Sequence, residues 1–160
     1  MTRHPESVAR RGPAGFSLLE LVLVVALLGV CVAIAVPRYA AATNRYRAQS
    51  AAGRISADLD LARRTARSTG TSCTVTFTVA SSQYALVGIA DFDGRDQDYR
   101  VSLSAAPYNA RLLSVDFAGR TTVTFNGYGV PDAGGTIRLQ VGQTVKTLTF
   151  SADSYRTTIQ

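Results

Sequence analysis

Residues 16–36, FSLLELVLVVALLGVCVAIAV, form an apolar run of 21 with a single charge, Glu20. About 20 such residues suffice to cross a bilayer as a helix, so this segment constrains the rest of the chain more than any other. Arg3, Arg10 and Arg11 precede it against one acid, Glu6. That bias puts the N-terminus on the cytoplasmic side and exports the C-terminal remainder of the chain. The whole chain is 160 residues, room for one further compact module. Its 46% hydrophobic content is ordinary, but much of it sits in the apolar run, so the remaining module must build an efficient small core.

Three readings of the run are open. Ala33-Ile34-Ala35 offers the small-x-small pattern of a secretory cleavage site. An uncleaved signal-anchor is the second, and a specialised membrane helix the third. The run is long for a signal-peptide core, and a carboxylate near its start hinders insertion. Neither of the first two readings accounts for Glu20. A carboxylate costs about 2.5 kcal/mol or more at the bilayer centre and less near an end, so it calls for a partner. A local alternative stands beside that one: Ser17-x-x-Glu20 has capping-box spacing, and an acid in a first turn suits the positive end of the helix dipole.

A basic leader, Gly15, then Phe16-Ser17-Leu18-Leu19-Glu20 and an apolar helix resembles the prepilin peptidase signal of type IV pilins and pseudopilins. The resemblance implies cleavage between Gly15 and Phe16, N-methylation of Phe16, and an assembly role for Glu20 against a neighbouring subunit's terminal amine. It implies as partners the prepilin peptidase, other pilin or pseudopilin subunits of a filament, and an inner-membrane assembly platform. Charge chemistry is consistent with this, because a new amine at the bilayer edge and a carboxylate on an adjacent subunit make each other cheaper to bury. Pro37 falls where many pilins carry a proline. Inside a helix it removes one hydrogen bond and clashes with the preceding turn, so it either kinks or opens the helix, with a use in assembly, or marks the membrane exit.

Beyond Pro37, Ala48, Ala52, Ile55, Leu59, Ala62 and Ala66 recur at steps of three and four, giving one apolar helical stripe. Arg45, Arg54, Asp58, Arg64 and Arg67 are expected off that stripe, on a solvated or packing face, and Gly70 supplies the stop. The pattern predicts one helix from about residue 16 to 68. After Gly70 the period becomes two, with Cys73, Val75, Phe77 and Val79 on one face and Thr74, Thr76 and Thr78 on the other. Short β-like runs continue over 84–90, 99–103, 112–117, 121–126, 136–141 and 145–151. The fold class is therefore α+β: a long N-terminal transmembrane helix packed on a C-terminal antiparallel β-sheet domain. The expected organisation is a cleaved leader at 1–15, a membrane half-helix at 16–37, a soluble half-helix at 38–69 and a β-rich periplasmic domain at 70–160.

The order of parts also resembles the GspH pseudopilin and FimT minor-pilin group. The residues concerned are Gly88-Ile89-Ala90-Asp91-Phe92-Asp93-Gly94, Val123-Thr124-Phe125-Asn126-Gly127-Tyr128-Gly129 and Gly135-Thr136-Ile137-Arg138-Leu139. This implies a structural or tip role in a secretion pseudopilus or pilus. FimT-like proteins concerned with DNA uptake contact DNA through a basic Gly-Arg-x-Arg motif near the C-terminus, of which only Arg156 is present here. Phosphate contacts depend on accumulated positive charge, so a DNA partner is weakly supported. From Tyr39 onward there are twelve Arg and one Lys against nine Asp, a mild excess.

Catalytic equipment is sparse. The sole histidine, His4, lies in the leader, and Glu20 is the one glutamate beyond it. There is no Ser-His-Asp set, P-loop or Cys/His metal spacing, so neither an enzyme nor a cofactor is expected. Asp91, Asp93, Asp96 and Asp98 around Gly94 form a weak calcium candidate, with Arg95 lowering the local charge and no EF-hand pattern. Cys31 and Cys73 are separated by a helix rising about 1.5 Å per residue, too far to pair. Cys73 is expected as a small core residue.

Overall fold

The computed structural model describes residues 17–90 and 98–160. Gly15 and Phe16, with Asp91, Asp93 and Asp96 of the acidic stretch, lie outside the described residues. Element order is α1 (Leu18–Thr69), β1 (Cys73–Thr78), β2 (Gln83–Ala90), β3 (Asp98–Ser102), β4 (Arg111–Asp116), β5 (Thr122–Phe125), β6 (Gly135–Val141), β7 (Thr144–Phe150) and β8 (Thr157–Ile159). By compactness the chain divides into two units, Met1–Arg38 and Tyr39–Gln160.

The described part of the first unit is apolar helix. Its large side chains stand in the open, Leu18 at 81% and Val36 at 60% exposure, and the most apolar 18-residue window buries none of its residues. Length and composition suit a membrane crossing. Helical assignment continues through Pro37. The hydrogen bond that proline cannot donate is simply absent from the ladder.

In the second unit the apolar stripe of α1 is buried as its periodicity requires: Ala48, Ala52, Ile55, Leu59, Ala62 and Ala66, joined by Ala51. Asp58, expected among the off-stripe charges, is also buried, at 5% exposure. The helix ends where Gly70 takes φ +67°, the left-handed conformation that costs glycine no Cβ clash.

The strands form two antiparallel four-stranded sheets, ordered β3-β2-β1-β5 and β4-β6-β7-β8. Alternation within β1 buries Cys73, Val75 and Phe77 and turns its threonines outward, with Thr74 and Thr124 hydroxyls 3.0 Å apart on the outer face. Aromatic rings join the sheets: Phe77 stacks on Phe117 at 5.9 Å, Phe117 meets Phe150 at 6.4 Å, and Phe150 meets Phe125 edge-on at 5.9 Å. Offset and edge-on arrangements of this kind are the favoured ones for aromatic quadrupoles. Buried Ser82 ties the sheets at one corner. Its carbonyl accepts from the Leu103 amide, and its hydroxyl accepts from the Leu112 amide at 3.0 Å.

Candidate functional site

Ser17 immediately precedes the first residue of α1 and acts as its N-cap. Its hydroxyl oxygen accepts from the Glu20 amide at 3.2 Å, and its carbonyl accepts from Leu21 at 3.2 Å. This satisfies one of the amide groups that every helix start leaves unpaired. The cap uses Glu20's backbone alone. Among the described residues no hydrogen bond or ion pair engages the Glu20 carboxylate, which is exposed at the head of the apolar helix. The reciprocal half of a capping box is therefore not formed.

The remaining candidates are scattered. Pro37 lies within α1. Asp98 opens β3 opposite Ala90, and Arg156 is exposed just before β8, its carbonyl accepting from the Ser151 amide at 3.0 Å. No hydrogen bond or ion pair joins Asp98 to Arg156, and no cluster of three metal-ligating side chains occurs among the described residues. Beside Arg156, Tyr155 lies under the Arg63 guanidinium at 4.4 Å, and Arg63 Nε is buried without a hydrogen-bond partner. Stacking on the ring face supplies what favourable electrostatics that group has.

One polar constellation was not anticipated. Asp58 accepts from Arg54 Nε at 3.0 Å and from the Tyr84 hydroxyl at 2.5 Å, and Arg54 also reaches the Tyr99 hydroxyl while its guanidinium lies 5.8 Å from that ring. Burial, then the neighbouring Asp58 charge and its hydrogen bond, push the Tyr84 hydroxyl well above the usual phenol range. For Arg54, partial burial works against the charged form, but the Asp58 charge and hydrogen bond outweigh it and the net shift is upward. An acid four residues after a base is the less favourable helical order, so this pair rests on its sheet partners rather than on the helix alone. Burial likewise raises the Cys73 thiol, which sits in the core as expected of a small apolar residue.

Among the described residues, grooves open on the second unit, one of them a shallow apolar one along α1 beside Ala57, Asp60, Leu61 and Arg64, and two over the sheets. Of the two over the sheets, one, of about 250 Å³, crosses the outer face of the first sheet past Thr76, Thr78, Val87, Asp98 and Arg100. The other, of about 510 Å³, lies among Ser81, Ser82, Ser104, Asn109 and Arg111. No hydrogen bond links Asp98 to a threonine hydroxyl in the first, and neither carboxylate nor imidazole lines the second. A nucleophile needs an adjacent base to be activated, and no hydrogen-bonded pairing of that kind is found among the described residues of these two grooves.

Residues 10–36 match the prokaryotic N-terminal methylation motif, and residues 51–158 match the family described as type II transport protein GspH. Among solved structures, the type IV minor pilin FimU of Pseudomonas aeruginosa (strain PAO1) is similar in fold. Its TM-score is 0.53 at 19% identity, with 72% of this chain and 90% of that chain covered. Comparison with curated proteins finds no match. The exposed apolar helix and the helix-on-sheet domain are the two parts these matches describe, and with a match over more than half its length the chain belongs to the pilin-like GspH family.

Proposed function

We propose that the protein is a structural minor subunit of a type II secretion pseudopilus or a type IV pilus, processed by prepilin peptidase between Gly15 and Phe16 and methylated on Phe16. It is held as a single span in the inner membrane with its β-rich domain in the periplasm, then enters a filament through its apolar helix. The observation that carries this reading is the Glu20 carboxylate, without a partner among the described residues, at the head of an otherwise apolar helix whose cap is already supplied by Ser17. A carboxylate entering an apolar environment needs a counter-charge, and the terminal amine of an adjacent processed subunit has the right sign and depth. The match of residues 10–36 to the methylation motif supports the same assignment.

Mass spectrometry of the N-terminal peptide from the native membrane tests it. The expected species begins at methylated Phe16. A chain beginning at Val36, or one retaining Met1, would remove the basis of the proposal. Glu20→Ala is expected to leave processing intact while reducing incorporation into filaments.

A further inference from the structure

The last two turns of α1 meet two connections of the β-domain. In the connection between β5 and β6, a Cβ on Gly127 would collide with the Gly70 carbonyl, and one on Gly129, at φ +75°, with the stem of Arg67. The missing side chain at position 129 therefore leaves a seat for that stem. In the connection between β7 and β8, the Tyr155 ring lies 4.4 Å from the Arg63 guanidinium. Arg63 and Arg67 are four residues apart, so they project from one face of the helix with Cβ atoms about 5–6 Å apart.

Among the described residues neither guanidinium has an ion pair, and Asp60 and Asp153, the nearest acids in sequence to Arg63 and Tyr155, reach neither. Arg63 Nε is enclosed without a hydrogen-bond partner, whereas the terminal nitrogens of the same group stay open to an acceptor arriving from solvent. On the turn that seats Arg67, Tyr128 is 84% and Val130 41% exposed.

The negative end of the helix dipole accounts for a basic residue such as Arg67 in the last turn. It does not account for one guanidinium held on a ring, the next seated over a glycine, and both left without an acceptor. Each arrangement restricts rotamers before any ligand arrives, which lowers the ordering entropy that a complex must offset. Two planar forks one turn apart suit the two oxygens of a carboxylate, the group arginine binds most specifically. Exposed tyrosine beside arginine is also the composition of protein-binding surfaces. A nucleic acid fits less well, because its affinity comes from many phosphates neutralised along a track, and Arg156 and Asp153, on either side of Tyr155, add charges that cancel.

We infer that Arg63 and Arg67 form a docking site for an acidic segment of a partner protein. One carboxylate bridges both guanidiniums, and an adjacent apolar side chain lies on Tyr128 and Val130. This goes beyond the subunit reading above, and it depends on neither processing nor anchoring.

The probe is the capped peptide acetyl-Gly-Asp-Phe-Gly-amide, titrated into the full-length protein with isotope-labelled arginine in detergent micelles. Nuclear magnetic resonance follows the arginine Nε–H signals, with that of Arg63 displaced by the Tyr155 ring current. The expected result is saturable movement of the Arg63 and Arg67 signals, weaker as salt rises and nearly absent with the asparagine analogue of the peptide. Arg67→Gln should weaken binding about tenfold. Tyr155→Leu should shift the Arg63 signal in the free protein and weaken binding as well. Arg100→Gln, on the outer face of the first sheet, should change neither. Arg67 and Arg100 are both exposed, and near-ultraviolet circular dichroism checks that each variant keeps its fold.

Equal movement with the aspartate and asparagine peptides, or none with either, overturns the inference. A duplex oligonucleotide that moves the same signals at lower concentration than the peptide also overturns it, since the site would then serve phosphates. A photo-crosslinking residue at position 128 in native membranes tests the protein partner. The captured segment should contain an aspartate or glutamate beside an apolar residue, and capture should fail in Arg63→Glu/Arg67→Glu. A captured segment without an acid, or no captured segment, sinks the proposal.

Discussion

The two units use the same aliphatic side chains in opposite ways. Leu21, Leu23 and Leu27 stand 57–62% exposed in the first, while Leu86, Leu112 and Leu139 of the second are at most 1% exposed. Removing apolar surface from water stabilises a fold by about 25 cal/mol per Å², and the second unit obtains this by packing helix on sheets. The first unit obtains it from whatever apolar medium surrounds it, lipid or other helices. A leucine's contribution is thus set by the solvent its unit is built for. Residue type alone does not decide it.

Core truncation should separate the two units most sharply. Phe117→Ala removes a fully buried ring shared by both sheets and is expected to cost about 3–5 kcal/mol in urea unfolding of the full chain in detergent. Leu23→Ala, in the first unit, is expected to leave that same transition within about 0.5 kcal/mol. An equal effect from both would erase the distinction between the units.

Asp58→Ala comes next, at about 2 kcal/mol, because it strips the buried Tyr84 hydroxyl of its acceptor, while Arg54 is exposed enough to turn to water. Asp58→Asn, which keeps an acceptor, should cost less. Gly142→Ala is expected to cost about 1–2 kcal/mol, since φ at this position is +56° and the added methyl would press on Asn44. The smallest effect is confined to high pH. Tyr84 has its pKa raised in the folded state, so its contribution is complete below the unfolded phenol pKa and declines as pH rises above about 10. Tyr84→Phe should flatten that alkaline loss of stability relative to the parent, as read by thermal melts across the range.

Period carried much of the fold in the sequence. Steps of three and four placed Ala48 through Ala66 on the buried stripe, and alternation placed Cys73, Val75 and Phe77 inward. Asp58 escaped because its charge argued for solvent, although its position, three after Ile55 and four before Ala62, already put it on the stripe. The division into two sheets was not legible, since a period of two specifies a strand's face and says nothing about its neighbour. β8 was missed for want of signal: three residues, two of them threonine, shortly after a tyrosine held at φ +55°. Nothing in the sequence marks Ser82, because its tie between the sheets depends on contacts with Leu103 and Leu112, 21 and 30 positions away. For the candidate site, Glu20 was legible as a lone charge, while the division of labour between Ser17's cap and Glu20's carboxylate required coordinates.

The buried stripe of α1 is mostly alanine, and a smooth alanine surface is poor at resisting axial sliding. A shift of one helical turn, about 5.4 Å, would set Ala52 near the place of Ala48 and Leu59 near that of Ile55, while bringing Arg63 near the place of Leu59. Such a slip would carry the Asp58 carboxylate away from the Tyr84 hydroxyl, now 2.5 Å from it, and Arg54 away from its contact with Tyr99. The polar cluster therefore adds a directional restraint to a contact surface that is mostly alanine, and helps fix where along its axis the helix sits on its own sheet.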